Sequence, residues 1–235
     1  MTDHDPVDVL PAIDILAGKA VRLQRGEQGT EQVFGDPIDF AHRLKDCGVS
    51  RLHVIDLGAV FGEAPQTDLI QEMGKVLPMQ VGGGIRSRDA LDAILQTGVY
   101  KVIVGTLAFR DPPALEGFTD KVIVALDVGK DRCPRVEGWR TLAPFHWKEI
   151  YQQFREMGLG SFLCTGTDRD GMMRGPDLNL YQEWRNRIGW DPHIIAAGGV
   201  RNHRDISACL AAGANAVVVG RGLYEGTYIL PGFTP

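Results

Sequence analysis

The 235-residue sequence lacks the features that assign many chains to a metal-binding, membrane or secreted class. Its four cysteines form no Cys-x-x-Cys pair, so we expect reduced, structural thiols. No apolar run approaches the ~18 residues of a membrane span, and the acidic, polar start MTDHDPVD is unlike a secretory signal. The six histidines show no metal-ligand spacing: His4, His42, His53, His146, His193 and His203.

The chain also lacks a basic excess and the common catalytic motifs. A net charge of −5 at pH 7 does not favour a nucleic-acid partner. No Gly-x-Gly-x-x-Gly follows the first predicted strand, no Gly-x-Ser-x-Gly is present, and no motif indicates a redox cofactor. These absences leave acid–base chemistry without a metal or a cofactor. We expect a monomeric, cytoplasmic protein with neither a membrane nor a nucleic-acid partner.

The most informative feature that is present is a stretch that the chain repeats. Val81–Gly105 (VGGGIRSRDALDAILQTGVYKVIVG) aligns with Ala196–Gly220 (AAGGVRNHRDISACLAAGANAVVVG) at an offset of 115 positions. Each copy predicts a strand, a glycine turn, an amphipathic helix ended by Gly, a buried strand and a second glycine turn. The repeat predicts one domain, residues 1–235, built from half-barrels of about 1–115 and 116–235. The identical pairs are Gly83/Gly198, Gly84/Gly199, Arg86/Arg201, Ala93/Ala208, Leu95/Leu210, Gly98/Gly213, Val102/Val217, Val104/Val219 and Gly105/Gly220.

Eight apolar segments alternate with predicted helices along the chain. Strands are expected at Val7–Asp14, Arg51–Leu57, Pro78–Val81, 101–105, Lys121–Asp127, Ser161–Thr165, His193–Ala197 and Asn215–Val219. Helices are expected at Pro37–Cys47, 67–76, 88–97, for a short run from Asp111, and at 146–157, Leu178–Ile188 and 203–212. Apolar strands of this kind indicate a parallel sheet buried on both faces, and eight such units close most simply into an α/β fold, the (β/α)8 TIM barrel. A doubly wound open sheet is the alternative.

Two long segments are expected to be loops near the active site. Ile15–Asp36 follows the first strand, and a second long segment follows Asp127 and holds Gly138 and Trp139. Connections of this length are usually functional. The tail after the eighth strand is too short for a full helix.

Aspartates end two of the predicted strands at equivalent places in the two halves. Asp14 ends the first strand, Asp127 the fifth, and Asp170 lies just beyond the sixth. In a TIM barrel the C-terminal ends of the strands carry the active site. A carboxylate at the mouth of an apolar barrel can be tuned to take or give a proton. A strand-end Asp can instead cap a helix or turn, but its repetition favours the catalytic interpretation.

Glycine turns follow the third, fourth, seventh and eighth predicted strands. They present bare backbone N–H groups beside helix N-termini, which is an arrangement that binds phosphate. Because the turns come in two copies, we expect two phosphate sites on opposite sides of the mouth. A substrate phosphorylated at both ends would span them and cross the aspartates.

Several motifs between residue 9 and about residue 228 resemble those of one family, the histidine-biosynthesis isomerases that act on phosphoribosylformimino-aminoimidazole-carboxamide ribotide. The resemblance implies a TIM barrel and a cofactor-free Amadori rearrangement of a bisphosphorylated aminoaldose to an aminoketose. The motifs are PAIDILAGKAVRL, LHVIDL, QVGGGIRS, VIVGTLA, IVALDVGKD, VEGW, TDRDGMMRGPDL, IAAGGV and VVVGRGLYEG.

The resemblance implies a role for each matching residue. Asp14 is similar to the general base that takes the C2′ proton, and Asp170 to the general acid that protonates the ribose ring oxygen. Asp127 matches an Asp used in catalysis or in holding the substrate, and Thr165 matches an active-site threonine. The implied binding residues are Arg22, Asp56, Arg86 and Trp139 for the substrate, Gly83, Gly84, Gly105 and Thr106 for one phosphate, and Gly198, Gly199, Gly220 and Arg221 for the other.

The chain departs from the family pattern at two places, and alternatives stay open. Gly166 stands where the family has Asp after the threonine, and IDLGAVFG stands where it has VDLDGA. The cyclase subunit of imidazole glycerol phosphate synthase shares a similar DRDG segment, but it opens with Cys-Leu-Asp rather than Ala-Ile-Asp. A non-catalytic phosphosugar-binding or structural barrel would keep both glycine turns but need neither Asp14 nor Asp170. Glu137 before Gly-Trp predicts a single pathway, because it would repel the carboxylate of a tryptophan-pathway substrate.

Overall fold

The computed structural model describes residues 8–23, 28–143, 147–188 and 192–234. Its strands, in chain order, are β1 (Asp8–Leu16), β2 (Lys19–Arg22), β3 (Gln32–Gly35), β4 (Leu52–Asp56), β5 (Met79–Gly82), β6 (Lys101–Val104), β7 (Val122–Val128), β8 (Pro134–Val136), β9 (Thr141–Leu142), β10 (Ser161–Gly166), β11 (His193–Ala197) and β12 (Ala216–Val219). The helices are α1 (Pro37–Asp46), α2 (Leu57–Phe61), α3 (Thr67–Val76), α4 (Arg88–Gln96), α5 (Thr106–Arg110), α6 (Trp147–Glu156), α7 (Leu178–Ile188), α8 (His203–Ala211) and α9 (Arg221–Tyr224).

Eight of the strands form a closed parallel barrel. The order is β1-β4-β5-β6-β7-β10-β11-β12, and β12 pairs in parallel with β1 to complete the circle. The predicted (β/α)8 TIM barrel is therefore confirmed, and the open sheet is wrong. The bounds of α7 and β11 coincide with the predicted ones, and the other barrel strands lie within about two residues of theirs. Val7 and His146, which the predictions included, lie outside the described residues.

The segment Ile15–Asp36 was expected to be a loop, and that expectation was wrong. β1 continues to Leu16, and β2 pairs antiparallel with it through Leu16↔Lys19. Ala17 and Gly18 both have positive φ, 47° and 74°, which is the backbone of a tight two-residue hairpin turn. A second hairpin, β8–β9, lies in the other predicted loop and pairs with the end of β7. Both insertions extend the barrel wall beyond its mouth.

Two helical details also differ from the predictions. The short fourth helix was expected to start at Asp111, but α5 precedes that residue and Pro112–Leu115 forms a single 3₁₀ turn. Proline lacks the N–H that an α-helix interior needs, so the chain leaves the α conformation before the Pro-Pro pair. The helix α2 was not expected. It forms because the Asp56 carboxylate accepts a hydrogen bond from Ala59 N and caps it.

The core has two layers that follow from strand alternation. One set of buried side chains fills the space between the barrel wall and the helices, and a second set fills the lumen. Successive residues of a strand point to opposite faces, so Ile13 and Ile15 face the helices while Leu10 and Ala12 face the lumen. The lumen residues are Leu10, Ala12, Ile103, Ile123, Ala125, Leu163, Ile195, Ala197, Ala216 and Val218. None of the helices in the described part of the chain combines the length and apolar character that a bilayer crossing needs.

We predict that Gly84→Ala unfolds more easily than Gly98→Ala. Both glycines have positive φ, 67° and 83°. A Cβ on Gly84 would come closer than 3.0 Å to backbone atoms of Ala59, whereas a Cβ on Gly98 meets nothing within 4 Å. We expect a loss in unfolding free energy of about 3 kcal/mol or more for Gly84→Ala, and about 1 kcal/mol for Gly98→Ala. Urea unfolding measures both, and equal losses would contradict the assigned backbone contact.

Candidate active site

Three side chains of the barrel strands reach the C-terminal mouth from the inside. Asp14 continues the lumen row of β1, Asp127 continues the row of β7, and Thr165 continues the row of β10. Asp170 lies in the turn after β10, where its N–H donates to Gly166 O at 3.1 Å. Its charge acts on both Asp14 and Asp127. The structure thus brings the three predicted aspartates and the threonine together.

Asp127 is held by neutral donors in an environment with little water. The side chains of Trp139 and Thr165 hydrogen-bond to its carboxylate. Burial raises the pKa of Asp127 from its ordinary 3.8 to about 6, the two hydrogen bonds oppose that rise, and the charge of Asp170 adds to it. Near neutral pH this carboxyl can both hold and release a proton.

Asp14 has a cationic partner instead. The guanidinium of Arg22 donates from Nη1 to Asp14 Oδ2 at 2.7 Å, and the side chains are only 17% and 14% exposed. Burial raises the pKa of Asp14 most strongly, Arg22 lowers it, and Asp170 raises it, with a net upward direction. Asp14 and Asp127 therefore occupy equivalent strand ends but meet different charges.

The glycine turns lie at the same mouth as the carboxylates. Gly83 and Gly84 follow β5, Gly198 and Gly199 follow β11, and all four have positive φ. A Cβ on Gly83, Gly84 or Gly199 would come closer than 3.0 Å to the backbone carbonyl of Asp56 at the end of β4, of Ala59 in α2, or of Gly175 in the loop after β10, respectively. These turns therefore need glycine for close packing. Gly105 and Gly220 have nearly the same backbone conformation: φ and ψ are −97° and −99° at Gly105, and −100° and −99° at Gly220. That this similarity arose by duplication stays a prediction.

The β8–β9 hairpin covers the turn that starts α5. The N–H of Glu137 donates to Thr106 Oγ1 at 2.9 Å, and the Glu137 carboxylate pairs with Arg110 and accepts from Thr141 Oγ1 at 2.7 Å. Gly138 and Trp139 follow with positive φ, 65° and 69°. This local conformation turns the Trp139 indole toward Asp127. One loop therefore joins a predicted phosphate turn to a predicted acid–base residue.

Two predicted binding residues do not join the cluster. Asp56 is 1% exposed, and its carboxylate accepts from Ala59 N, Gln66 N and Gln66 Nε2 at 3.1, 2.8 and 3.0 Å. Arg86 donates to Ala59 O and Val60 O at 3.2 and 2.8 Å. Both side chains use their polar groups to fix α2 and the loop after it, so the structure assigns them to the scaffold.

A further set of contacts stabilises the loop after β10. Arg221 at the start of α9 donates to Gly171 O at 2.5 Å and pairs with Glu225. Arg132 binds both carboxylate oxygens of Asp177, at 2.7 and 3.3 Å. The Arg132–Asp177 pair was not predicted, because its members are 45 residues apart and belong to no motif. Within the described residues, no group of three or more His, Cys, Asp or Glu side chains is arranged to hold a metal ion.

The fold and this mouth define the class: a (β/α)8 barrel with an acid–base cluster between two pairs of glycine turns. The model of the family described as "Histidine biosynthesis protein" matches residues 8–229. The chain belongs to this family.

Curated relatives cover almost the whole chain. Relatives from Ruminiclostridium cellulolyticum, Methanothrix thermoacetophila and Erwinia tasmaniensis are all named 1-(5-phosphoribosyl)-5-((5-phosphoribosylamino)methylideneamino) imidazole-4-carboxamide isomerase. The first is 34% identical over 93% of this chain and 94% of its own length. The second is 38% identical over 94% and 93%, and the third 36% identical over 94% and 95%. The chain is thus similar to these isomerases along its full barrel.

We predict that Gly166→Asp, which restores the residue that the family resemblance implies, destabilises this chain. A Cβ on Gly166 would lie 3.1 Å from the Cβ of Asp177, and a carboxylate there would face a second one. We expect Gly166→Ala to lose about 1 kcal/mol from crowding and Gly166→Asp about 2–3 kcal/mol from crowding plus like charge. Urea unfolding of both variants separates the two causes. A Gly166→Asp variant as stable as the wild type would show that Asp177 gives way freely.

We predict that the Asp127 carboxyl makes the protein less stable as the pH rises. Since its pKa is about 6 in the folded chain and near 3.8 when unfolded, the folded state binds the proton more tightly. The contribution of the Asp127 carboxyl to the free energy of unfolding is fully present below pH 3.8 and is lost as the pH rises through about 6. Asp127 is partly open to water at the mouth. We therefore expect the free energy of unfolding to fall by about 1–2 kcal/mol over this pH range, rather than by the ~3 kcal/mol expected of a fully buried group.

The measurement compares urea unfolding of the wild type and Asp127→Asn at pH 4.5 and pH 7.5. Asp127→Asn should gain stability relative to the wild type at the higher pH. Asp89→Asn, at an exposed position of α4, is the matched control and should show no such gain. A difference between wild type and Asp127→Asn that is the same at both pH values would contradict the assigned burial cost.

Proposed function

We propose that the chain is a cofactor-free isomerase that converts a bisphosphorylated ribosylamino aldose into the corresponding ketose by an Amadori rearrangement. The substrate class is that named for its relatives. The observation that carries the proposal is the pair of desolvated strand-end carboxyls, Asp14 and Asp127, with Asp170 acting on both. The relatives are named as isomerases, which favours this function over the cyclase subunit and the non-catalytic paralog.

The reaction needs one acid and one base at the mouth. Asp170 donates a proton to the ribose ring oxygen, the C1′–O bond breaks, and a protonated imine forms at C1′. Asp14 then takes the proton from C2′, and the electron pair of that C–H bond moves to give an enolamine. Loss of the proton from the C2′ hydroxyl and addition of a proton at C1′ give the aminoketose. A positioned acid or base of this kind contributes about 10²–10⁴-fold each.

The different partners of the two strand-end carboxyls support different roles. Asp14 is assigned as the base: burial raises its pKa, and the ion pair with Arg22 opposes that rise because the cation favours the charged form. Asp127 has only neutral donors, Trp139 and Thr165, and a pKa of about 6. We assign Asp127 to holding the substrate hydroxyls and Trp139, which is 38% exposed, to covering the substrate from above.

The two phosphates of the substrate are assigned to opposite sides of the mouth. Gly83, Gly84, Gly105 and Thr106 form one site, and Gly198, Gly199, Gly220 and Arg221 form the other. Support comes from their placement at the ends of β5, β6, β11 and β12, with the carboxylates between them. Backbone N–H groups at such turns bind phosphate oxygens without a side chain.

The proposal also covers the partners and location of the protein, its oligomeric state and the number of pathways that it serves. The net charge of −5 supports a small-molecule enzyme without a nucleic-acid partner. We further propose that it is cytoplasmic and monomeric. A single pathway was predicted from repulsion by Glu137. In the structure Arg110 and Thr141 bind that carboxylate, which weakens the repulsion, so the single pathway stays a prediction.

We predict that the purified protein turns over the bisphosphorylated aminoaldose and that Asp14→Asn lowers kcat by about 10²–10⁴-fold, because the amide cannot take the C2′ proton. Coupling to a cyclase–amidotransferase reads out the ketose. Asp89→Asn, on the outer helix α4, is the matched control and should keep wild-type turnover. If the wild type binds the substrate without converting it, the non-catalytic binding paralog is favoured. If Asp14→Asn keeps wild-type turnover, Asp14 is not the general base.

A further inference from the structure

The β1–β2 hairpin, which the sequence did not predict, places Arg22 at the mouth. β2 pairs antiparallel with β1 through Asp14↔Val21, so the next residue, Arg22, lies beside the end of the β1 lumen row. Its guanidinium donates to Asp14 Oδ2 at 2.7 Å from Nη1. A backbone ladder on one side and an ion pair on the other therefore fix its position.

The other end of the same guanidinium covers Gly220, which follows β12, the strand beside β1 in the barrel. A Cβ built on Gly220 would lie 2.5 Å from Arg22 Nη2 and 3.0 Å from Cζ. Arg22 thus occupies the space above the Gly220–Arg221 turn, where the proposed function puts one substrate phosphate. One cation spans the distance from the base to that turn. A side chain at position 220 would require the guanidinium of Arg22 to shift.

The charged and titratable groups around Asp14 come from four elements. Arg22 on β2 lowers its pKa, and Asp170 after β10 raises it. Tyr224 on α9 has its pKa raised by burial and by Asp14, so its phenol is neutral, and it donates to Ala12 O at 2.9 Å. His53 on β4 is buried, its pKa is lowered to about 3, and it bonds to Gln80. Of these neighbours, Arg22 supplies the positive charge.

We propose that Arg22 is a positioning residue that changes partner during the cycle: it pairs with Asp14 in the empty enzyme and with the substrate phosphate at the Gly220 turn in the loaded enzyme. The inference rests on the proposed function, since that function supplies the phosphate. A phosphate dianion competes well for a guanidinium because the contact can be bidentate and charge-assisted. When Arg22 turns to the phosphate, Asp14 loses its cation and becomes the stronger base.

This exchange links binding to chemistry. The ion pair favours the ionised form of the desolvated Asp14 while the site is empty, and Arg22 leaves Asp14 only when a phosphate is in place. A substrate that lacks this phosphate leaves Arg22 on Asp14 and reacts slowly even when saturating. Binding energy from the phosphate, which lies far from C2′, thereby accelerates removal of the C2′ proton.

The kinetic test uses Arg22→Gln. Arg22→Lys is a second variant that keeps the positive charge but lacks the planar guanidinium that makes bidentate contacts. In Arg22→Gln, KM should rise about tenfold to a hundredfold, while kcat at pH 8 stays within about threefold, because the wild-type complex has already withdrawn Arg22 from Asp14. The acid limb of kcat/KM should move to higher pH. Arg22→Lys should give smaller changes in the same directions.

Arg221→Gln is the matched control at the same turn. It removes a cation that contacts Gly171 O and Glu225 rather than Asp14. We expect KM to rise and the acid limb of kcat/KM to stay in place. If Arg22→Gln behaves like Arg221→Gln, Arg22 only binds phosphate, and the proposal is wrong. If Arg22→Gln instead lowers kcat a hundredfold with KM unchanged, Arg22 stays on Asp14 throughout, and the proposal is also wrong.

A binding test separates this inference from the proposed function, because it needs no turnover. Calorimetric titration with inorganic phosphate near pH 6, in buffers of different ionisation enthalpy, measures the protons taken up per bound phosphate. The wild type should take up more protons than Asp14→Asn, since Asp14 gains a proton when Arg22 leaves it. In the Arg22→Gln background, adding Asp14→Asn should change the uptake little. Equal uptake by wild type and Asp14→Asn would overturn the exchange, whether or not the enzyme is an isomerase.

Discussion

Desolvation at the end of a closed parallel barrel is the constraint on which this site depends. All eight barrel strands end at one mouth, and side-chain alternation carries the lumen rows of β1 and β7 to Asp14 and Asp127. The lumen below them is lined mainly by apolar side chains, together with buried His53 and Gln80, which hydrogen-bond to each other, so each carboxyl loses water on that side. Burial is the largest cause of the raised pKa of both groups. The same apolar rows that close the core therefore also prepare the acid–base chemistry.

A third strand-end aspartate shows what distinguishes scaffold from site. Asp56 ends β4 and is more buried than either of the others, but its carboxylate accepts three hydrogen bonds, from the N–H groups of Ala59 and Gln66 and from the Gln66 side chain. Both of its oxygens are thereby used to hold the scaffold, which leaves at most one of about four lone-pair positions. Position at a strand end is thus necessary for a role at the mouth and is not sufficient.

Much of this could be predicted from sequence, and the failures have physical causes. Apolar segments separated by glycine turns predicted the barrel, and the ends of those segments placed Asp14 and Asp127, while Thr165 came from the family resemblance. The hairpins were missed because Ala17-Gly18 and the segment around Gly138 have loop-like sequences, and they pair as strands only against the ends of β1 and β7. The hydrogen bonding of Asp56 was missed because Gln66 is ten residues away in the chain and meets it only after α2 forms.

The two hairpins give the barrel its asymmetry. Each follows a strand whose terminal carboxylate faces the mouth, and each returns one donor to that carboxylate: Arg22 to Asp14 from β2, and Trp139 to Asp127 from the β8–β9 turn. One donor is a cation and the other is neutral. Burial raises the pKa of both carboxyls; the cation opposes that rise at Asp14, and hydrogen bonds from Trp139 and Thr165 oppose it at Asp127. The insertions thereby give two equivalent positions different electrostatic partners, which is how a pair of similar carboxyls can take different roles. Both donors lie on extensions rather than on the barrel wall, so the electrostatic surroundings of each carboxyl depend on the position of its hairpin.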